Sequence, residues 1–477
     1  MPRANSIFLV SMCFLIMSTM LFGEAKKKAK VLILGAGLSG ITAAKTLLEN
    51  NITDFYVLEG QDYIGGRIHA FEFEGVTIET GANWLHFLDD EDTTPLLKRM
   101  EEAEMGGVPS NYSDFIIRNE HGQDITDSEV IRKLHEEIEE KIEEFQLSRM
   151  ERNMPDIPAQ VGLQLMGWKS NRPIEKVLEY FRLDFEHGKQ PDLVSFYQLY
   201  GRGQDFFVSD PRGLWSLYKD LYQPLMKHIL LGRNIVKIKY SENFVEVHTK
   251  NNEIFVADYA LCTFSTGVLT SDTITFDPPL PEWKREAIYK SPMSIYTKIF
   301  LKFPRKFWND NEFILHASKR RGYFPVFQDL DRPGILPGSA ILLITVTGEE
   351  GKRIEEQTDQ ETKTEIMKTL RKIYGKKIPE PTAIFYRRWS KDMFTQGAYS
   401  DRVVGTTSQD YKNIGETLGR LYFAGEATSE DWNGYMQGAY LSGKEKGQMI
   451  ADDLMGTRIG EVNQGHVLSD TLVHEEL

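Results

Sequence analysis

Residues 31–40 read Val31-Leu32-Ile33-Leu34-Gly35-Ala36-Gly37-Leu38-Ser39-Gly40. Four consecutive apolar residues predict a parallel strand buried on both faces. The turn after them sets Gly35, Gly37 and Gly40 in the spacing G-x-G-x-x-G, and Ile41 to Glu49 reads as a helix packed through Ala43, Ala44, Leu47 and Leu48. In such a unit the glycines give a tight turn, close backbone approach to a pyrophosphate and close helix–strand contact. The unpaired N–H groups at the helix start attract the same anion. A second apolar run, Asp54-Phe55-Tyr56-Val57-Leu58, ends in Glu59. An acid there accepts hydrogen bonds from the ribose hydroxyls and repels a 2′-phosphate. The unit therefore predicts an α/β fold with an adenine-dinucleotide site.

The 477 residues are enough for two domains, and 41% hydrophobic content supplies the cores. A net charge of −14 argues against a nucleic-acid partner and suits a cationic one. The acidic run Ser128 to Phe145 carries Ile131, Leu134, Ile138, Ile142 and Phe145 at helical spacing, which predicts a surface helix. At the N-terminus, Arg3 precedes an apolar run from Ile7 to Phe22 and then Gly23-Glu24-Ala25. Residues 1–25 are expected to be a cleaved signal peptide, a membrane anchor being the alternative, with no stable membrane partner. Cys13 falls inside it, leaving Cys262 alone in the mature chain as a buried core thiol. Asn51-Ile52-Thr53 and Asn111-Tyr112-Ser113 are glycosylation sequons, the first expected to be poorly accessible. The chain ends in His474-Glu475-Glu476-Leu477, close to an ER-retrieval signal, so secretion and ER retention both stay open. Residues 459–477 are expected to form a flexible tail. No metal site is expected.

Further along, Gly65-Gly66-Arg67 and Gly81-Ala82-Asn83-Trp84 both sit in glycine-centred turns. With these two segments the sequence resembles the flavin amine oxidases. The resemblance implies that Gly66 and Arg67 meet the FAD pyrophosphate and that Gly81, Ala82, Asn83 and Trp84 line the flavin. It also implies that the strand beginning Asn234-Ile235-Val236 sets the Val236 backbone against adenine. Near the C-terminus, Gly425-Glu426 and Trp432-Asn433-Gly434-Tyr435-Met436 precede a helix from about Gly438 to Leu454. By resemblance Glu426 binds the ribityl chain, and Tyr435 and Met436 at the helix start face the flavin pyrimidine.

Met293 to Trp308 reads as a strand on which Tyr296, Lys298 and Phe300 share a face. An apolar strand rarely carries a lysine beside two aromatic residues unless the cation has a buried partner. The segment resembles the plant-type polyamine oxidases. The resemblance assigns Lys298 to a water at flavin N5, Tyr296 to the active-site lining, and Trp389 to the dimethylbenzene side of the flavin. Tyr399 and Tyr435 match the aromatic pair that sandwiches the reacting nitrogen, and Glu186 matches an acid for substrate charge. Where the plant-type pattern has a second acid, this chain has His86, as animal polyamine oxidases do. Asp89 and Asp90 follow and would restore negative charge at the tunnel mouth.

The expectation is a two-domain FAD amine oxidase fold, a Rossmann-like FAD-binding domain beside a mixed-sheet substrate domain flanked by helices. Segments 29–108, 206–277 and 388–458 are assigned to the first, 109–205 and 278–387 to the second. The expected activity is FAD-dependent oxidation of spermine, spermidine or acetylated forms by O2, giving an aldehyde, an amine and hydrogen peroxide, in a monomer of the secretory pathway. The alternatives are a monoamine or L-amino-acid oxidase and a flavin-binding protein without turnover.

Overall fold

A computed structural model of the chain describes residues 26–86, 94–199 and 203–457. The expected signal peptide, Asp89, Asp90 and the expected C-terminal tail lie outside the described residues. Strand β1 (Lys27–Leu34) is followed by helix α1 (Leu38–Glu49) and strand β2 (Phe55–Leu58), which pairs with β1 in parallel. On its other side β1 pairs in parallel with β3 (Ile254–Cys262). The apolar run explains this central place. Val31 and Ile33 pack into one core while Leu32 and Leu34 pack into another on the opposite face. Helix α1 begins at Leu38, ahead of the expected Ile41, because the turn closes by Gly37. A Cβ on Gly40 would lie 2.1 Å from the Gly35 carbonyl oxygen, so the helix leaves the strand only because that side chain is missing.

The rest of this eight-stranded sheet comes from distant parts of the chain. Ile229–Leu230 extends it beyond β2, and Val245–Thr249, Ile235–Tyr240 and Thr275–Asp277 extend it beyond β3. Leu421–Phe423 pairs in parallel with the end of β3. Helix α2 (Met436–Met455) lies against α1, where a Cβ on Gly443 would come within 2.2 Å of the Ser39 carbonyl. Cys262 is buried on β3 as expected, and burial pushes its thiol up to about 12. Asn51 and Thr53 are exposed, against the expectation of poor access.

A second sheet of six strands contains β4 (Tyr296–Lys302), paired antiparallel on one side with Ile341–Thr347 and on the other with Ala383–Phe385. Its outer strands are Val326–Asp329, Phe313–Ala317 and Phe115–Asn119. Alternation along β4 is as the sequence predicts: Ile299 and Leu301 join one core, Phe300 and the half-buried Tyr296 the other. The expected surface helix over 128–145 is irregular, with a wide turn at Lys133–Ile138 and a tight one at Glu139–Lys141. Leu134, Ile138 and Ile142 nevertheless face the core. The hairpin of Ala70–Phe73 and Val76–Glu79 forms the seam between the two sheets, because Phe73 and Ile78 pack into the core of the six-stranded one while Glu79 accepts from the N–H of Leu214, whose side chain joins a core of the other.

Candidate active site

One cavity runs along the seam, and nearly every residue singled out in the sequence stands in its wall. At one end are Gly35, Gly37, Ser39 and Glu59, followed by Gly66 and Arg67. Glu59 is buried, and its carboxylate accepts from the Ala36 N–H at 2.7 Å and the Gln61 N–H at 2.8 Å. Burial raises its pKa against the pull of those amides. Gly40 lies behind the wall and shapes the turn. Val236 also lies outside the wall, which Arg233, Asn234 and Ile235 form at that point.

The other FAD-motif residues gather in the middle. Gly81, Ala82, Asn83, Trp84, Trp389, Gly425, Glu426, Tyr435 and Met436 all face the cavity. Arg67 Nη1 donates to Glu426 Oε1 at 2.5 Å and to the Ala398 carbonyl at 3.3 Å. Glu426 also accepts from the Ser400 N–H at 3.2 Å, the Gly434 N–H at 3.3 Å and the Ser400 hydroxyl. The Arg67–Glu426 pair joins two motifs from opposite ends of the chain, a contact no local pattern announces.

Three features test whether a flavin dinucleotide suits this wall. Helices α1 and α2 both start on the cavity, and neither start has a side-chain cap. The Ser39 hydroxyl is buried without a protein partner among the described residues. Uncapped N–H groups and a positive helix end suit a pyrophosphate at α1 and an electron-rich ring at α2. The residues present fit the cofactor.

Beyond this region the cavity becomes an aromatic cage. Tyr296 and Tyr399 have ring centroids 6.1 Å apart, and Phe185 lies 5.8 Å from Tyr296. Tyr435 stands edge-on to His86 at 5.2 Å and donates from its hydroxyl to Glu186 Oε1 at 2.9 Å. Tyr399 donates to the Glu186 carbonyl at 2.6 Å. Lys298 is 3% exposed, donates to Asn83 Oδ1 at 3.0 Å and lies 5.7 Å from the Trp84 ring centroid. Burial pushes its ammonium well below the ordinary range, while the charge of Glu79 opposes that shift.

Two acids here were missed in the sequence. Glu79 is buried, accepts from the Leu214 N–H at 2.5 Å, and is the charge facing Lys298. Asp205 Oδ1 lies 3.1 Å from His86 Nδ1, and Asp205 Oδ2 accepts from the Tyr112 hydroxyl at 2.8 Å. Burial works against a charged His86, but the Asp205 hydrogen bond and charge, with Glu186, outweigh it and raise its pKa. A buried lysine implies a carboxylate nearby, so Glu79 had a signal without an address. Asp205 had none, because nothing local ties Gln204-Asp205 to His86.

Comparison with known proteins supports the fold and the cofactor. The family model described as flavin containing amine oxidoreductase matches residues 38–450. Polyamine oxidase 1 of Zea mays is 37% identical over 452 residues, covering 88% of this chain and 90% of the relative. Polyamine oxidase 7 of Oryza sativa subsp. japonica is 34% identical over 457 residues, covering 87% and 93%. A solved structure of putrescine oxidase bound to putrescine shares the fold with a TM-score of 0.71 at 17% identity, covering 90% of this chain and 100% of that one. The chain belongs to the flavin containing amine oxidoreductases, and its cofactor is FAD.

Proposed function

We propose that the protein oxidises polyamines at a carbon beside a secondary amine, with O2 as the final acceptor. The observation that carries this reading is the cage of Tyr296, Tyr399 and Tyr435 closed by Glu186 and by His86, which Asp205 backs from behind the wall. Aromatic faces suit methylenes and cations, and a carboxylate takes an ammonium through a charge-assisted bond. Bound FAD supplies the hydride acceptor and passes the electrons to O2 as hydrogen peroxide, while the imine product hydrolyses to an aldehyde and an amine. Glu186 and Tyr435 hold the chain in register, and Tyr399 and Tyr435 flank the reacting nitrogen. Lys298 is the buried cation placed to hold water or exchange a proton beside them.

Peroxide release from spermine and spermidine, with the amine products identified by mass spectrometry, tests the reading. A shorter amine and an aldehyde are expected, and FAD-loaded protein that makes no peroxide from either substrate would contradict it. Glu186→Gln is expected to raise KM for spermine about 10- to 100-fold, the worth of one hydrogen bond to a charged group. A KM within twofold of the wild type would remove Glu186 from substrate recognition.

The His86–Asp205 pair gives this activity a pH dependence of definite sign. Below the raised His86 pKa the imidazolium neutralises Asp205. Above it the pair carries a net negative charge, which draws an ammonium toward the cavity. KM for spermine is therefore expected to fall as pH rises through a value above the usual ~6.5 of histidine. His86→Gln should flatten that step, and a step that persists in the variant belongs to another group.

The secretory route belongs to the same proposal, supported by the apolar run Ile7–Phe22, the small residues after it and two exposed sequon asparagines, Asn51 and Asn111. A glycosidase-sensitive mass shift in protein made through that route is expected. Unshifted protein retained in the cytosol would contradict it.

A further inference from the structure

We propose that Arg321 is a positioning residue: it holds a wide helical turn that aims Glu186 into the cavity. The inference rests on the reading of Glu186 as the group that takes the substrate ammonium. The helix carrying Glu186 is regular over Pro173–Glu179, wide over Tyr180–Asp184 with i to i+5 spacing, and regular again over Phe185–His187. In an α-helix, at about 100° per residue, positions i and i+5 point about 140° apart. Glu179 and Asp184 could not then share one side chain. Here they do. Arg321 Nη1 donates to Glu179 Oε1 at 2.6 Å, Nη2 to Asp184 Oδ2 at 2.6 Å, and Nε to Asp184 Oδ1 at 3.2 Å.

The turn is pinned on a second side as well. The Tyr180 hydroxyl lies 2.7 Å from Thr347 Oγ1 and accepts from the Thr347 N–H at 2.9 Å. Thr347 is the partner of Tyr296 on β4. Wide turns have poorer hydrogen-bond geometry than regular helix, cluster at functional sites and persist where their surroundings hold them. One inserted residue rotates everything after it by about 100°. That rotation decides where Phe185 and Glu186 point, and it sets Glu186 Oε1 2.9 Å from the Tyr435 hydroxyl. A guanidinium bridges two carboxylates through a rigid planar fork that fixes their relative placement, whereas an ammonium offers a single nitrogen on a flexible stem and fixes no such geometry.

The test uses the FAD-loaded full chain with Arg321→Lys, which keeps the charge and loses the fork. In its crystal structure the turn is expected to tighten to regular helix and the Tyr435–Glu186 bond to be lost. A wide turn with that bond intact would overturn the proposal. In kinetics Arg321→Lys should raise KM for spermine about 10-fold, yet change it less than twofold in a Glu186→Gln background, because coupled residues are not additive. Equal effects in both backgrounds would mean that Arg321 acts on folding alone. If the lysine variant does not load FAD, the combination Arg321→Met with Glu179→Gln and Asp184→Asn removes the three charges together and is read the same way. Should Glu186→Gln alone leave KM unchanged, the recognition reading falls, and the crystal structure still decides the clamp.

Discussion

Lys298→Met is expected to leave FAD bound and to slow turnover by roughly 10²- to 10⁴-fold, the range for loss of a positioned proton-transfer group. Methionine matches the lysine stem in length and flexibility, so the packing beside Trp84 and Phe300 should survive. What disappears is the cation between Asn83 and the buried carboxylate of Glu79. Glu79 can take up a proton in response, since burial already raises its pKa. The protein should therefore stay folded and yellow. Rapid-mixing kinetics would show whether the loss falls on flavin reduction or on reoxidation by O2. Rates within a factor of two of the wild type in both half-reactions would remove Lys298 from the mechanism.

Glu59→Ala is expected to be the most damaging change on the cofactor side. It deletes the carboxylate beside the glycine turn at one end of the cavity and leaves the Ala36 and Gln61 N–H groups without their acceptor. The two bonds that Glu59 is expected to accept from the ribose hydroxyls, each to a charged group, correspond to a weakening of FAD binding by about 10²-fold or more when lost. Purified variant should be partly cofactor-free, with a melting temperature that climbs as FAD is added, because a ligand that binds only the native state stabilises it by mass action. Full flavin occupancy after extensive dialysis would contradict the ribose role.

The parts of the molecule that were legible share a cause. β1, its glycine turn and α1 are specified by neighbours in sequence, so four apolar residues, three glycines and Glu59 announce both the fold and the dinucleotide. The parity of β4 is equally local, and it put Lys298 on the face shared with Tyr296. The charge network was not local. Arg67 with Glu426, His86 with Asp205, and Arg321 with Glu179 and Asp184 each join residues far apart in the chain. Such pairs leave no periodicity to read, since a single acid among the 70 in this sequence carries no mark of its partner. The irregular helices were hidden for a related reason. A wide turn such as Tyr180–Asp184 answers to tertiary contacts and not to the propensities of its own residues.

The central claim is that this cavity presents a polyamine to the flavin. Anaerobic mixing of the FAD-loaded protein with spermine, spermidine and N1-acetylspermine in turn, followed by flavin absorbance, tests it most directly. Rapid bleaching with at least one of the three is the predicted result, and identification of the amines released once air is admitted then fixes which carbon is oxidised. A flavin that stays oxidised with all three, in protein that retains FAD, would contradict the account.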